Sequence, residues 1–173
     1  MKSPLIKIAL LGPESTGKSI LCEALAKHYQ TVWVPEYARK YIGSLNRKYT
    51  LEDVLHCAEM QMKKEEELAI QANRFLFCDT ELINIKVWCT DVFKTVPAWI
   101  EQQLIVNPYD LHLLTYPDIT FITDNVRENP HRRDFFFNWY KQELESYDFP
   151  YEIIKGTSED RIKNAISSIE KYF

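Results

Sequence analysis

The stretch Gly12-Pro13-Glu14-Ser15-Thr16-Gly17-Lys18-Ser19 constrains this chain more than any other feature. Two glycines with four residues between them, followed at once by Lys and Ser, have the spacing of a Walker A loop. Such a loop must turn tightly, so that its backbone N–H groups and the N-terminus of the next helix converge on phosphate oxygens. The flanking residues agree. Leu5–Leu11 is a mostly apolar run that predicts a buried strand, and Ile20–Tyr29 predicts a helix, which puts the glycines at a strand-to-helix junction. The candidate nucleotide-binding residues are therefore Gly12, Glu14, Ser15, Thr16, Gly17, Lys18, Ser19 and Ile20. In this reading Lys18 reaches the β- and γ-phosphates of ATP, and the Ser19 hydroxyl ligates Mg²⁺. Only 4 glycines occur in the chain and two stand in this loop, so the residue is spent where backbone freedom is needed.

At 173 residues and 46% hydrophobic content, residues 1–173 are expected to form one α/β domain. A net charge of -4 argues against a sequence-independent nucleic-acid binder, which needs many phosphate-neutralising Lys and Arg side chains. Cys22, Cys57, Cys78 and Cys89 show no CxxC pairing and the histidines are scattered, so neither a zinc site nor a disulfide framework is indicated. The N-terminal apolar run contains Lys7 and leads straight into the loop, unlike a signal peptide, and no run reaches transmembrane length. The expectation is a soluble cytoplasmic protein with a small-molecule partner and neither nucleic acid nor membrane.

Further along, Thr31–Val34 predicts a second strand stopped by Pro35, with Glu36-Tyr37-Ala38-Arg39 as the loop at its end. Thr50 and Asp53 form a capping-box pattern that opens a long helix with Leu51, Val54, Leu55, Ala58 and Met62 on one face. Arg74–Asp79 predicts a buried strand ending in an acid, followed by a helix from about 82 to 93. Asp110–Thr115 and Thr120–Thr123 predict strand segments, 131–145 a helix, Tyr151–Ile154 a strand, and a closing helix capped by Ser158 ends near Tyr172. Strands alternating with helices, with few hairpin signals, imply a mostly parallel sheet covered on both faces. Ligands then bind beyond the C-terminal strand ends.

Three groups surround the loop in this reading. Asp79, after four mostly apolar residues, is the candidate Walker B acid that holds Mg²⁺ with Ser19, the alternative being the N-cap of the helix that follows. Glu36 and Arg39 are placed to meet an acceptor: the carboxylate to orient or deprotonate a hydroxyl, the guanidinium to hold anionic oxygens, or the two to pair with each other. Glu36 and Asp79 both stand as candidates for the base. Arg127, Arg132 and Arg133 form a basic cluster before a helix, suited either to closing over ATP or to a surface patch balanced by Glu128 and Asp134. The aromatic run Phe135–Tyr140 reads as core packing rather than a base-stacking platform.

Together "GPESTGKS" (12–19), "PEYARKY" (35–41), "AEMQ" (58–61), "FCDTE" (77–81), "YDLHLLT" (109–115), "TDNVRENPHRRDFF" (123–136) and "YEIIKG" (151–156) resemble the ribosylnicotinamide kinase domain of NadR-type proteins. These are small kinases of the P-loop, AAA-like ATPase and kinase group, related to the nucleoside kinases. The resemblance runs nearly end to end. It implies a three-layer P-loop fold, Mg²⁺, an arginine-bearing lid at about 124–135, and transfer of the ATP γ-phosphoryl group to the ribose 5′-hydroxyl of nicotinamide riboside. With the residue reading above, the expected catalytic residues are Lys18, Glu36, Arg39, Arg127 and Arg132. The adenylyltransferase domain that precedes the kinase in the bifunctional members has no counterpart before the loop, so that activity is not expected.

The departures fall on the acceptor side. An aromatic residue that stands before the Glu-Tyr pair in the family is Pro35 here, and Trp33 on the same strand face is the expected substitute. A second aromatic after Gln61 is absent from Met62-Lys63-Lys64-Glu65; the third acid of the Asp-Thr-Asp motif is Glu81, and two threonines after it are Asn84 and Ile85. Two further readings stay open: a kinase for another nucleoside or nucleotide, and a nucleotide-dependent regulatory ATPase with no metabolic acceptor.

Overall fold

A computed structural model describes residues 4–106, 108–124 and 126–173. Its centre is β1 (Ile6–Leu11), in which Ile8, Ala9, Leu10 and Leu11 are fully buried. A strand buried on both faces reads as an unbroken apolar run, the pattern of parallel sheets. The other strands are β2 (Trp33–Val34), β3 (Phe75–Asp79), β4 (Leu111–Thr115) and β5 (Tyr151–Ile154). They lie in the order β2-β3-β1-β4-β5, and every neighbouring pair is parallel.

Side chains alternate between the two faces along each strand. Ile8, Leu10, Phe75, Phe77, Leu111 and Leu113 pack with α1 (Lys18–His28) and α7 (Ser158–Tyr172). Leu11 and Leu114 join the opposite layer, built with α3 (Leu51–Ala69), α4 (Leu82–Trp88), α5 (Ala98–Val106) and α6 (Arg133–Ser146). The result is the expected α/β fold with helices on both faces of a parallel sheet. The chain crosses from the β3 side of β1 to the β4 side, so the crevice beyond β1 is the place for a ligand. Among the described residues, no helix is long and apolar enough to cross a membrane.

Local signals were legible where a side chain makes the decisive bond. Thr50 Oγ1 accepts the Asp53 N–H at 3.4 Å and Asp53 Oδ2 accepts the Thr50 N–H at 2.7 Å, the reciprocal capping box expected for α3. Four expectations are corrected. Glu36 does not begin a loop: it is the N-cap of a short helix, α2 (Tyr37–Gly43), with Arg39 in the first turn. Residues 120–123 are not a strand; the Ile122 N–H is taken by Ser15 Oγ at 2.8 Å and the Ile122 carbonyl by Arg127 at 2.5 Å, which leaves no ladder to join. Ser158 does not cap α7. It is the first helical residue with φ 46, while the extended N-cap conformation belongs to Thr157. The predicted helix over 82–93 is α4 followed by a π-helical turn at Cys89–Phe93, and α5 had no counterpart in the reading of the sequence.

Candidate active site

The Walker A segment follows β1 as a loop held in unusual backbone conformations: φ is 147 at Gly12, 56 at Ser15 and 76 at Gly17. Gly17 is left-handed at the N-cap of α1, so the first amides of that helix face the loop's interior. Gly12 cannot be replaced sterically, because a Cβ there would stand 2.3 Å from Thr115 Oγ1 and 2.9 Å from the Thr115 carbonyl. Lys18 Nζ donates to the carbonyls of Gly12 and Pro13, each at 2.9 Å, which lays the ammonium across its own loop.

Ser19 Oγ donates to Asp79 Oδ2 at 2.5 Å. Asp79 ends β3, where it stands in register with Leu10, so the sheet itself brings the acid beside the root of the loop. Burial holds the Asp79 carboxyl above its ordinary range, against the opposing pull of Lys18 and the Ser19 hydroxyl. Its other oxygen, Oδ1, is buried with no partner among the described residues. A hydroxyl beside a buried carboxylate with a vacant oxygen is an oxygen donor set suited to a hard divalent cation. The N-cap role weighed for Asp79 falls instead to Glu81, whose Oε2 accepts the Ile83 N–H at 3.0 Å at the start of α4.

A cavity of about 270 Å³ opens from the loop. Glu36 and Arg39 line it from the start of α2, and Arg127, Glu128 and Asn129 line it from the segment before α6. Burial lifts the Glu36 carboxyl to about 7; the charge of Asp79 adds to the rise, and Lys18 and Arg39 oppose it. Asp124 joins the two arginines: it pairs with the Arg39 guanidinium, lies 3.5 Å from Arg127 Nε, and accepts the Val126 and Arg127 N–H groups at 2.9 Å each. Those backbone bonds, chiefly, depress the Asp124 carboxyl below its ordinary value.

The arginine-bearing segment is latched to the Walker A loop. Glu14 accepts the Glu128 N–H at 3.1 Å and the Asn129 N–H at 2.9 Å. Arg132 sits outside the cavity lining, gripped by Asp91 through two bonds of 2.7 and 2.9 Å and lying over the Phe136 ring. Arg133 turns the other way, donating to the Ser15 carbonyl at 3.1 Å and to Ile119 at 2.7 Å.

Trp33 does not reach the cavity. It packs against the core cluster that contains Leu21, Leu25 and Phe77, because the side of the sheet it faces is the one covered by α1. The cavity is lined also by Tyr49, Asn84, Trp88, Asp91, Phe136 and Tyr140. Phe136 and Tyr140 thus serve both the core, as expected, and the cavity wall. Sequence reasoning passed over Tyr49, Trp88 and Asp91. Trp88 and Asp91 stand three apart, one helical turn along the element that Asp79-Thr80-Glu81 opens, and that spacing was the available signal. Nothing local marked Arg161, which donates to the Thr16 carbonyl at 3.0 Å from a different part of the chain.

Comparison with known proteins agrees with this fold. A family described as an AAA domain matches residues 7–161. The trifunctional NAD biosynthesis/regulator proteins NadR of Salmonella typhimurium and of Escherichia coli are each 25% identical over 127 residues, covering 69% of this chain. The chain spans 30% of the length of those relatives. Among solved structures, a NadR protein in complex with NR superposes with a TM-score of 0.85 at 21% identity, covering 97% of this chain and 51% of that one. Deoxyadenosine kinase from M. mycoides with bound dCTP gives a TM-score of 0.64 at 13% identity, covering 96% of this chain and 100% of that one.

Proposed function

The chain belongs to the AAA-domain family matched over residues 7–161, and on that premise we propose that it is a Mg-ATP-dependent kinase transferring the γ-phosphoryl group to a nucleoside 5′-hydroxyl, nicotinamide riboside being the first candidate. The observation that carries this reading is the position of Glu36: a carboxyl lifted to about 7, lining the same cavity as the phosphate loop. A general base works best with a pKa near the working pH. An ATPase that served only as a switch would need no such group facing space for a second molecule.

In this mechanism the loop amides and Lys18 hold the phosphate chain and keep its charge in register with the acceptor. Ser19 and Asp79 would hold Mg²⁺, which supplies charge neutralisation of the phosphate oxygens when bound. Glu36 orients the acceptor hydroxyl and takes its proton as the oxygen attacks phosphorus. Arg39 and Arg127, both already drawn to Asp124, stabilise negative charge on the moving group. Arg132 acts only once it has left Asp91. The likeness to the NadR structure described with NR, and the relation of the curated NadR proteins to NAD biosynthesis, support nicotinamide riboside over other nucleosides.

The test is ADP release from Mg-ATP across a panel of nucleosides, with mass spectrometry of the products. A phosphorylated nicotinamide riboside supports the reading in full; another phosphorylated nucleoside corrects the acceptor alone. ATP hydrolysis with no nucleoside phosphorylated refutes the kinase and favours the regulatory ATPase.

A further inference from the structure

Of the positive-φ positions in the phosphate loop, Gly12 and Gly17 are glycines and the third is Ser15, a buried residue with φ 56. A residue that carries a Cβ is strained in this left-handed conformation and stays there only when its surroundings hold it. Two bonds do so, and both come from the stretch that leads into α6. The Ile122 N–H donates to Ser15 Oγ at 2.8 Å, and Arg133 Nη1 donates to the Ser15 carbonyl at 3.1 Å. Arg133 is itself braced. Its Nη2 donates to the Ile119 carbonyl at 2.7 Å and to that of Pro117 at 3.4 Å, and its guanidinium lies over the Phe121 ring, 5.7 Å from the centroid. It stands outside the cavity lining to which Ser15 belongs, so it reaches the loop from beyond the space a nucleotide would fill.

We propose that Arg133 is a positioning residue of the phosphate site: it holds Ser15 in the left-handed conformation and so sets the path of Thr16, Gly17 and the first turn of α1, without touching the nucleotide. The proposal rests on the reading of this loop as the ATP site and deepens it by separating the role of Arg133 from that of Arg127, which lines the cavity. A trans peptide is planar, with its carbonyl and its N–H pointing opposite ways, so fixing the Ser15 carbonyl fixes the Thr16 N–H as well. The next carbonyl is held in the same manner, by Arg161 at 3.0 Å from Thr16. Two successive peptides are thus committed in direction before any phosphate arrives, and donors fixed in advance need no rearrangement on binding. Arg133 is the first residue of α6, whose Phe136 and Tyr140 pack in the core, so the loop takes its shape from the body of the domain.

Titration of the full chain with AMP-PNP and Mg²⁺ tests this on Arg133→Met, Arg133→Lys, Ser15→Gly and the double variant Ser15→Gly/Arg133→Met. Arg133→Met should lower the affinity about 10-fold. Arg133→Lys keeps the charge but cannot reach the carbonyls of Ser15 and Ile119 together, and should recover less than half of that loss. Ser15→Gly by itself should bind within about 3-fold of wild type, since glycine adopts a positive φ freely while one hydroxyl bond is lost. In the Ser15→Gly background, Arg133→Met should cost no more than about 3-fold further, because a glycine at this position needs no holding. For a nucleoside that is phosphorylated, turnover at saturating Mg-ATP should stay within about 3-fold in every variant, as expected of a residue that shapes nucleotide binding and meets no reacting atom.

A folded Arg133→Met protein with wild-type affinity overturns the proposal. Full affinity in Arg133→Lys also overturns it, by assigning the effect to charge alone, and so does an equal loss from Arg133→Met whether serine or glycine stands at position 15. Turnover that collapses while AMP-PNP still binds overturns it too, by making Arg133 a group that leaves the loop for the reacting phosphoryl. Should Arg133→Met fail to fold, Arg133→Lys with and without Ser15→Gly carries the same comparison. The kinase reading fails separately. Affinities that change as expected in a chain that phosphorylates no nucleoside leave the positioning role standing and remove the kinase; phosphorylation with an unchanged KM for ATP in Arg133→Met does the reverse.

Discussion

The backbone N–H of Tyr37 donates to Gln61 Oε1 at 2.8 Å, and the Nε2 of the same side chain donates to the Asp79 carbonyl at 3.3 Å. One buried amide thus ties the helix that starts at Glu36 to the strand that ends at Asp79, and sets the spacing of the two carboxylates. Replacing Gln61 by Leu leaves a helix-terminal N–H and a strand-end carbonyl without their partner, at a cost of about 1–3 kcal/mol in stability. It also frees Glu36 from its register, so kcat should fall about 10-fold. ATP affinity should stay within about 2-fold, because no loop contact is lost. Thermal melts and transfer kinetics check this, and an unchanged kcat would remove the bridging role.

Glu36 sets the pH dependence. As a base it must be ionised, so the transfer rate should rise with pH through about 7, where burial places its carboxyl, and level off above. Glu36→Gln should abolish that limb and lower kcat by a factor of about 10²–10⁴ while ATP still binds. The sign for stability is opposite. Because the folded pKa lies above the unfolded value of about 4.3, the wild-type protein loses stability as pH rises from there through about 7. The glutamine variant is spared that loss, and without nucleotide should be more stable than wild type at pH 8 by about 1–3 kcal/mol, the difference closing below about pH 4. Calorimetric melts at both pH values decide it.

What the sequence disclosed followed the range of the interactions involved. Spacing alone marked the Walker A loop, because its function depends on consecutive backbone amides, and the capping box at Thr50 and Asp53, because both bonds close within three residues. The place of Asp79 at the end of β3 was legible because strand length and terminal position are local properties. The part of the cavity wall made by Tyr49 and Trp88 was not, since the two meet only after α3 and α4 have packed. Trp33 failed as a guide because strand alternation tells which residues share a face, not which helix covers it. Arg132 and Arg133 are adjacent in sequence yet face Asp91 and the Ser15 carbonyl respectively, a division that no pattern of charges records.

Arg161 spends its guanidinium on the phosphate loop and its surroundings. It donates to the carbonyls of Thr16, Gly156 and Tyr116 at 3.0, 2.8 and 3.0 Å, and pairs with Asp118 while only 4% exposed. Arg161→Met should destabilise the protein by about 2–4 kcal/mol, because Asp118 and three carbonyls lose their donor together. With Thr16 released, nucleotide affinity should fall about 10-fold even well below the melting temperature. Arg161→Lys should recover part of the stability and little of the affinity, since a single ammonium cannot reach all of these acceptors at once. Titration with AMP-PNP separates the two effects; full affinity in the Met variant would confine Arg161 to folding.

The two ends of the glycine scale give a paired test of the loop. At Gly12 the backbone stands at φ 147, and an added methyl would lie 2.3 Å from Thr115 Oγ1 and 2.9 Å from the Thr115 carbonyl. The hydroxyl could rotate away, but it is held at 2.6 Å by Thr16 Oγ1, and the carbonyl belongs to β4 and cannot move without breaking the sheet. Gly12→Ala must therefore push the loop off the strand, costing about 3 kcal/mol or more from strain and overpacking combined, and abolishing nucleotide binding in whatever fraction folds. Gly43, at the end of α2, is the contrast. A Cβ there would meet only Val126 Cγ2 at 3.5 Å, an ordinary contact, and the residue lies in a helix that alanine favours. Gly43→Ala should hold or raise stability by up to about 1 kcal/mol and leave nucleotide binding intact. Denaturant melts of the pair, with AMP-PNP binding measured on each, check both; a stable, nucleotide-binding Gly12→Ala protein would show that the loop can bind phosphate in another conformation.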